Sequence, residues 1–340
     1  MPASNRAHQR PVSIMLRALL LTLSLFTGLV QAAPILREPV SLDTGQGVLS
    51  GSLVLPQRSA AVPVVLLVAG SGPTDRNGNN PGGGHNDAHR KLAQALAQQG
   101  IASVRYDKRG IAASFAATPH ERDLSVERYV ADVVAWVHQL RQDKRFSQVI
   151  LVGHSEGALI ATLAANQAGA DALVSIAGSA RPIDQLLREQ LRNRLPPRLR
   201  GEAEALLEAL HEGRQVPHVS DELTVLFRTS VQPYLISLFR QDPAAAFARV
   251  KVPALILQGD HDIQVSVQDA EALHAANPRA ELQIVTGMNH VLRIVPLDME
   301  AQLASYDNPD LPLARGLTTR LASFIKALQP AETANAADNP

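Results

Sequence analysis

The sequence predicts an α/β fold on a mostly parallel sheet, and three features carry that expectation. Six apolar runs recur along the chain: PVVLLVAG (63–70), IASVRYD (101–107), QVILVG (148–153), ALVSIAG (172–178), PALILQG (253–259) and ELQIVTG (281–287). Stretches with helical spacing alternate with them, among them HRKLAQALAQQG, LSVERYVADVVAWVHQLRQ, EGALIATLAANQAG and VQDAEALHAANP. At one handover from strand to helix stands GHSEG, residues 153–157. Unbroken apolar runs suit parallel strands covered on both faces, and alternation with helices supplies the cover.

In chain order, residues 1–32 read as a leader. Arg6, Arg10 and Arg17 precede the run ALLLTLSLFTGLV, and Val30-Gln31-Ala32 is the small-residue pattern that a signal peptidase cuts after. The run is about thirteen residues, short of the roughly twenty that span a bilayer. Removal after Ala32 and export to the periplasm or the exterior are therefore expected, with no stable membrane insertion of the mature chain; Met1 and Met15 both remain possible starts.

ILREPVSLDT and GVLSGSLVLP then read as an antiparallel hairpin about a Gly45-Gln46-Gly47 turn. The alternating core follows, its first part spanning 33–178. Between Gly178 and Pro253 lie roughly seventy residues without a strand pattern, against the usual connection of about two to six. They read instead as IDQLLREQLRNRL, GEAEALLEALHEG and DELTVLFRTSVQPYLISLF, punctuated by Pro196-Pro197 and Pro217. A helical lid inserted at 179–250 accounts for them, with the core resuming over 251–328 and a polar, disordered tail at 329–340.

Composition removes several function classes. A chain of 340 residues that is 46% hydrophobic can bury a large core. Its 32 basic and 32 acidic residues balance, so no field draws it to nucleic acid or anionic lipid. With no cysteine, thiol catalysis, cysteine-ligated zinc, disulfides and a lipidated cysteine are all excluded. Oligomeric state has no sequence signal.

GHSEG is the pattern of a nucleophile elbow, in which a tight turn lifts the Ser155 hydroxyl above the carboxyl edge of the sheet. Gly153 and Gly157 permit the close chain approaches that such a turn needs. A serine hydroxyl is a poor nucleophile until a base takes its proton, so a histidine and an orienting carboxylate are required. The strand at 253–259 ends in Asp260-His261-Asp262, and the strand at 281–287 ends in Met288-Asn289-His290. Both lie at the carboxyl ends of consecutive strands, the edge where open α/β sheets gather their ligands.

GSGPTDRNGN (70–79), YDKRG (106–110), GHSEG (153–157), QGDHDIQV (258–265) and GMNHVL (287–292) together make the chain resemble an α/β-hydrolase, and within it the secreted or periplasmic bacterial esterases with a GSGPxDR-type loop. The resemblance implies Ser155, Asp262 and His290, in that chain order, as nucleophile, acid and base. It also implies an oxyanion hole made by the Glu156 N–H and an amide of the loop after the first central strand, assigned to Ser71 with Gly72 behind it. Asp260 remains an alternative carboxylate. The implied reaction is hydrolysis of a small-molecule carboxylic ester through an acyl-enzyme, with no metal or organic cofactor.

Other features have plainer readings. His85 and His89 could share a helix face, but no acidic third ligand follows as in the zinc-protease motif, and they read as solvated or capping groups. His154 and His261 read as local packing or hydrogen-bonding groups. The glycines at 70, 72 and 82–84 lack the Gly-Lys-Ser/Thr of a phosphate loop. Asp107-Lys108-Arg109-Gly110 resembles a turn that supports the nucleophile through buried charge pairing. Leu223, Phe227, Tyr234, Leu238 and Phe239 either wall an acyl pocket or pack the lid to the core. Arg188, Arg192, Arg194, Arg198 and Arg200 read as a solvated face rather than an anion site. A thioesterase or a serine aminopeptidase would use the same triad, the latter with Glu202, Glu204 and Glu208 available to hold an amine. A binding protein with an idle triad is the reading from outside enzymology.

Overall fold

β1 (Ile35–Asp43) and β2 (Val48–Pro56) pair antiparallel about the expected glycine turn. Then come β3 (Val62–Val68), β4 (Ala102–Tyr106), β5 (Phe146–His154), β6 (Ala172–Ile176), β7 (Ala254–Gly259) and β8 (Glu281–Val285), which run parallel to one another. β2 joins them antiparallel through β4, and the sheet order is β1-β2-β4-β3-β5-β6-β7-β8. This computed structural model describes residues 34–118 and 120–328; the expected leader and tail lie outside the described residues.

The period of two along β3 sorts its side chains between two cores. Val64, Leu66 and Val68 pack into one with Trp136 and Val137 of α2 (Val126–Gln142) and Ile160 and Ala164 of α3 (Glu156–Ala168). Val65 and Leu67 pack into the other with Leu92 and Leu96 of α1 (Ala88–Gln98). The sheet is thus covered on both faces, and its strands read as solid apolar runs for that reason. α2 starts where the Ser125 hydroxyl accepts from the Arg128 N–H, and α3 stops at Gly169, whose φ of 65° no helix continues.

Between β6 and β7 run α4 (Ile183–Arg194), α5 (Pro197–His211), α6 (Thr224–Phe227), α7 (Gln232–Phe239) and α8 (Pro243–Ala248). Two boundaries differ from the sequence reading. α5 begins at Pro197 rather than Gly201, because a proline in the first turn gives up an N–H that has no partner there. The run 221–239 is not continuous: Arg228 is extended, and Pro233 in the first turn of α7 lacks the donor needed to carry a helix through from α6. The insertion is tied down by Arg228 on Glu121 and by Arg181 on Asp269.

After β7, α9 (Val267–Ala276) opens with a capping box between Ser266 and Asp269. α10 (Met299–Tyr306) and α11 (Arg315–Ala327) follow β8, and Leu317, Leu321 and Ile325 of α11 close the second core. A second long connection, residues 69–87 between β3 and α1, carries the GSGPTDRNGN loop and runs on beyond it. No helix among the described residues is long and apolar enough to cross a membrane.

Candidate active site

β5 delivers Ser155 and α3 leaves from it, so the serine sits where the chain must reverse within one residue. Its φ of 57° and ψ of −125° are strained for a residue with a side chain. Backbone packing holds it there. A Cβ at Gly157 would stand 2.3 Å from the Val68 carbonyl oxygen, and one at Gly153 would stand 2.2 Å from the Gly157 oxygen. The Ser155 N–H donates to the Ile176 carbonyl at 2.9 Å, fixing the turn to β6.

The loops after β7 and β8 bring up the other two groups. His290 Nε2 lies 3.1 Å from Ser155 Oγ, and His290 Nδ1 lies 2.8 Å from Asp262 Oδ2. A carboxylate only accepts, so Nδ1 carries the proton and Nε2 presents its lone pair to the serine. Burial pushes the Asp262 carboxyl up, but the His290 ring beside it and the amides of Val265 and Gln264 outweigh that and hold it below the usual carboxylate range. Gln258, fully buried on β7, adds a donor 3.2 Å from Asp262 Oδ2. Asp260 points elsewhere, accepting from the Gly287 N–H at 2.6 Å. His261 sits against the Val295 carbonyl.

The two amides assigned to the oxyanion hole flank the serine. Glu156 is the first residue of α3, where an N–H has no helical acceptor and the helix dipole favours negative charge. Gly70 lies so near the serine that its Cβ would be 3.2 Å from that of Ser155, and Ser71 lines the same cleft. Among the described residues neither the Ser71 nor the Glu156 N–H donates to another protein group. Lys108 joins them: buried at the end of β4, its ammonium donates to the Gly70 carbonyl and lies 3.9 Å from the Glu156 carboxylate. That carbonyl and the Ser71 N–H belong to one trans peptide and point in opposite directions, so the lysine sets where the amide aims. Burial lowers the Lys108 pKa, with Glu156 opposing.

Two further histidine contacts sit behind His290. His154 Nε2 donates to the His290 carbonyl at 2.8 Å, which leaves its Nδ1 to accept from His89 Nε2 at 3.3 Å. Burial, helped by the nearby His290 ring, lowers the His154 pKa to about 4, and burial with His154 lowers that of His89 well below its ordinary value. His89 is therefore no solvated or capping residue. It faces inward from α1 because its neighbours Ala88, Leu92 and Ala93 form the buried stripe. No cluster of potential metal ligands occurs among the described residues.

Above the serine opens a cleft of about 500 Å3. Its walls are not the insertion's large apolar side chains. Leu223, Phe227, Tyr234, Leu238 and Phe239 are all buried in the core and none reaches the cleft. They pack the insertion down because α7 turns its apolar side chains to α2 and α5, with Tyr234 edge-on to Tyr129. The 69–87 loop supplies much of the wall instead, through Asn80, Gly82, Gly83 and Gly84. That loop is held by its own side chains. Asp75 Oδ1 accepts from the Asn77 and Asn79 amides, Asn79 Oδ1 accepts from the Asn86 and Asp87 amides, and Arg76 pairs with Asp107 at 2.7 Å. Among the described residues no Asp or Glu side chain lines the cleft. Glu204 and Glu208 pair with Arg188, and Glu202 accepts from the Ser220 N–H.

Sequence reasoning missed Lys108 as an individual, His89 and Gln258. A polar residue inside an apolar strand, as in ALILQG, and a lysine directly after a buried strand were the available signals.

Comparison with known proteins agrees with this architecture. Esterase EstD of Thermotoga maritima is 30% identical over 248 residues, which cover 72% of this chain and 58% of that protein. The chain thus spans less than two thirds of that relative's length. Est1E from Butyrivibrio proteoclasticus, solved with ferulic acid bound, shares the fold with a TM-score of 0.56 at 16% identity, covering 84% of this chain and 99% of that one. An esterase from Pyrococcus furiosus does so with a TM-score of 0.54 at 17% identity, covering 87% and 92%. The family described as serine aminopeptidase, S33, matches residues 82–294, and with the sheet order above the chain belongs to that family of α/β-hydrolases.

Proposed function

We propose that the chain is a serine hydrolase of carboxylic esters, working through an acyl-enzyme on Ser155, His290 and Asp262. The observation that carries this reading is the unbroken contact line from Ser155 Oγ through His290 to Asp262 at the floor of an open cleft. In the first half-reaction His290 Nε2 takes the Ser155 proton as Oγ attacks the carbonyl carbon. The Ser71 and Glu156 amides receive the negative charge that gathers on the carbonyl oxygen. Collapse then expels the alcohol, which takes the proton back from His290. Water, activated by the same nitrogen, frees the acid and restores the serine. Asp262 holds the imidazole in the required tautomer.

An aminopeptidase holds a protonated amine, and that calls for a carboxylate in the cleft. The lining has none, which favours the ester over the aminoacyl bond within this family. Thioesters would use the same machinery. Ile263, Val291 and Leu303 are the main apolar side chains of the wall and leave room for a short acyl chain. Export, read from the first 32 residues, is part of the same proposal, and the mature amino terminus read by mass spectrometry tests it.

The test is hydrolysis of p-nitrophenyl esters of graded chain length, beside aminoacyl arylamides and with Ser155→Ala. Wild type should prefer acetyl to butyryl esters, and the variant should lose on the order of a million-fold in turnover. A wild type that neither cleaves the esters nor labels with a fluorophosphonate would sink the reading.

A further inference from the structure

We propose that this cleft selects esters that carry a second, ionised acidic group, and that Arg194 is the residue that receives it. The inference rests on the ester-hydrolase reading and adds its substrate class. Arg194 closes α4 and lines the cleft one helical turn beyond Gln190, which lines it too. Its guanidinium is exposed and, among the described residues, is in no ion pair. Of the neighbouring arginines of the insertion, Arg188 pairs with Glu204 and Glu208, Arg198 pairs with Glu222 and Arg200 bonds the Leu195 carbonyl, while Arg192, likewise in no ion pair among the described residues, lies off the cleft. Arg194 is thus set apart from the solvated face that the sequence suggested.

A second arginine reinforces the sign of the field. Arg293 is fully buried behind the Asn86 wall, donating to the Asn86 carbonyl, with Nε and Nη1 left without partners. Burial lowers its pKa to about 10, opposed by Asp87, so it remains a cation at neutral pH. Asp87 is itself bonded to Arg90. A cleft with a cation on its wall and, among the described residues, no carboxylate on its lining favours an anion beside that cation. Arginine also matches a carboxylate through two parallel N–H donors.

Two matched pairs of esters test this on the full mature chain. In one the carboxylate is on the acyl part: mono-4-nitrophenyl glutarate against 4-nitrophenyl valerate. In the other it is on the alcohol part: 4-carboxyphenyl butyrate against phenyl butyrate. After subtraction of spontaneous hydrolysis, kcat/KM should favour the anionic member of at least one pair by about tenfold, mostly through KM and less so as salt rises. Arg194→Gln should remove that preference, whereas Arg192→Gln, two residues from it on the same helix and off the cleft, should keep it. Ester turnover with no anionic preference in either pair, or a preference that survives Arg194→Gln, would overturn the inference and leave the hydrolase reading intact. Failure to turn over any of the four esters would overturn the inference, and the hydrolase reading with it if the chain also fails to label with a fluorophosphonate.

Discussion

The elbow and the cleft above it are built by opposite means. The elbow is backbone against backbone: Gly153, Gly157 and Val68 approach so closely that no side chain fits between them. The cleft wall is side chain against backbone, the 69–87 loop pinned by the carboxylate of Asp75 and the amide of Asn79. The first arrangement tolerates nothing and fixes one serine. The second can change one hydrogen bond at a time, so the chemistry and the choice of substrate are controlled by separate parts of the molecule.

Breaking the elbow should have the larger effect. Gly157→Ala puts a methyl 2.3 Å from the Val68 oxygen; the chain should fail to accumulate as soluble protein or should show no fluorophosphonate labelling. Next is the link between the two regions. Lys108→Met frees the Gly70 peptide and leaves the Glu156 carboxylate buried without its cation. Turnover should fall by about 100-fold, the loss of one oxyanion donor. The double variant with Glu156→Gln should recover thermal stability but not turnover, and recovery of both would reduce Lys108 to a structural role.

Loosening the wall should do less. Asn79→Ala orphans the Asn86 and Asp87 amides, at a cost of about 1–3 kcal/mol each in stability. KM should rise several-fold while fluorophosphonate labelling persists, because Ser155 and His290 are untouched. The smallest effect concerns pH. His154 binds its proton at about pH 4 when folded and near 6.5 when unfolded. Between those values the unfolded chain holds more protons, so stability is lost as pH falls from 6.5 to 4, by up to on the order of 3 kcal/mol. Melting curves across that window should show the loss, and His154→Gln should shrink it.

The legibility of the sequence follows the same division. β3 to β8 and α1 to α3 were readable because solid apolar runs and helical spacing are local signals. Ser155, Asp262 and His290 were readable because each follows directly on such a run. What failed was whatever depended on which way an element faces. Helical spacing in the insertion marked Leu223, Phe227 and Leu238 as one apolar stripe without saying that it turns to the core rather than to the cleft. His89 belonged to a buried stripe, but a histidine in HNDAHR carries no mark of burial by itself. The wall loop, rich in Gly and Asn, has the composition of any exposed turn, and its bonds run between residues up to eight positions apart.

Ser155 and His290 meet across 135 residues of chain. The serine, its turn and the single tryptophan, Trp136, all belong to the first half of the chain, and Trp136 packs there beside Tyr106 and Gly51. His290 is carried on the loop beyond β8, the last strand to be made. A nascent chain can therefore shelter its tryptophan before His290 stands beside Ser155, a meeting that waits until the final edge of the sheet has docked. Fluorescence and turnover, followed on one refolding sample, are two clocks started by different events.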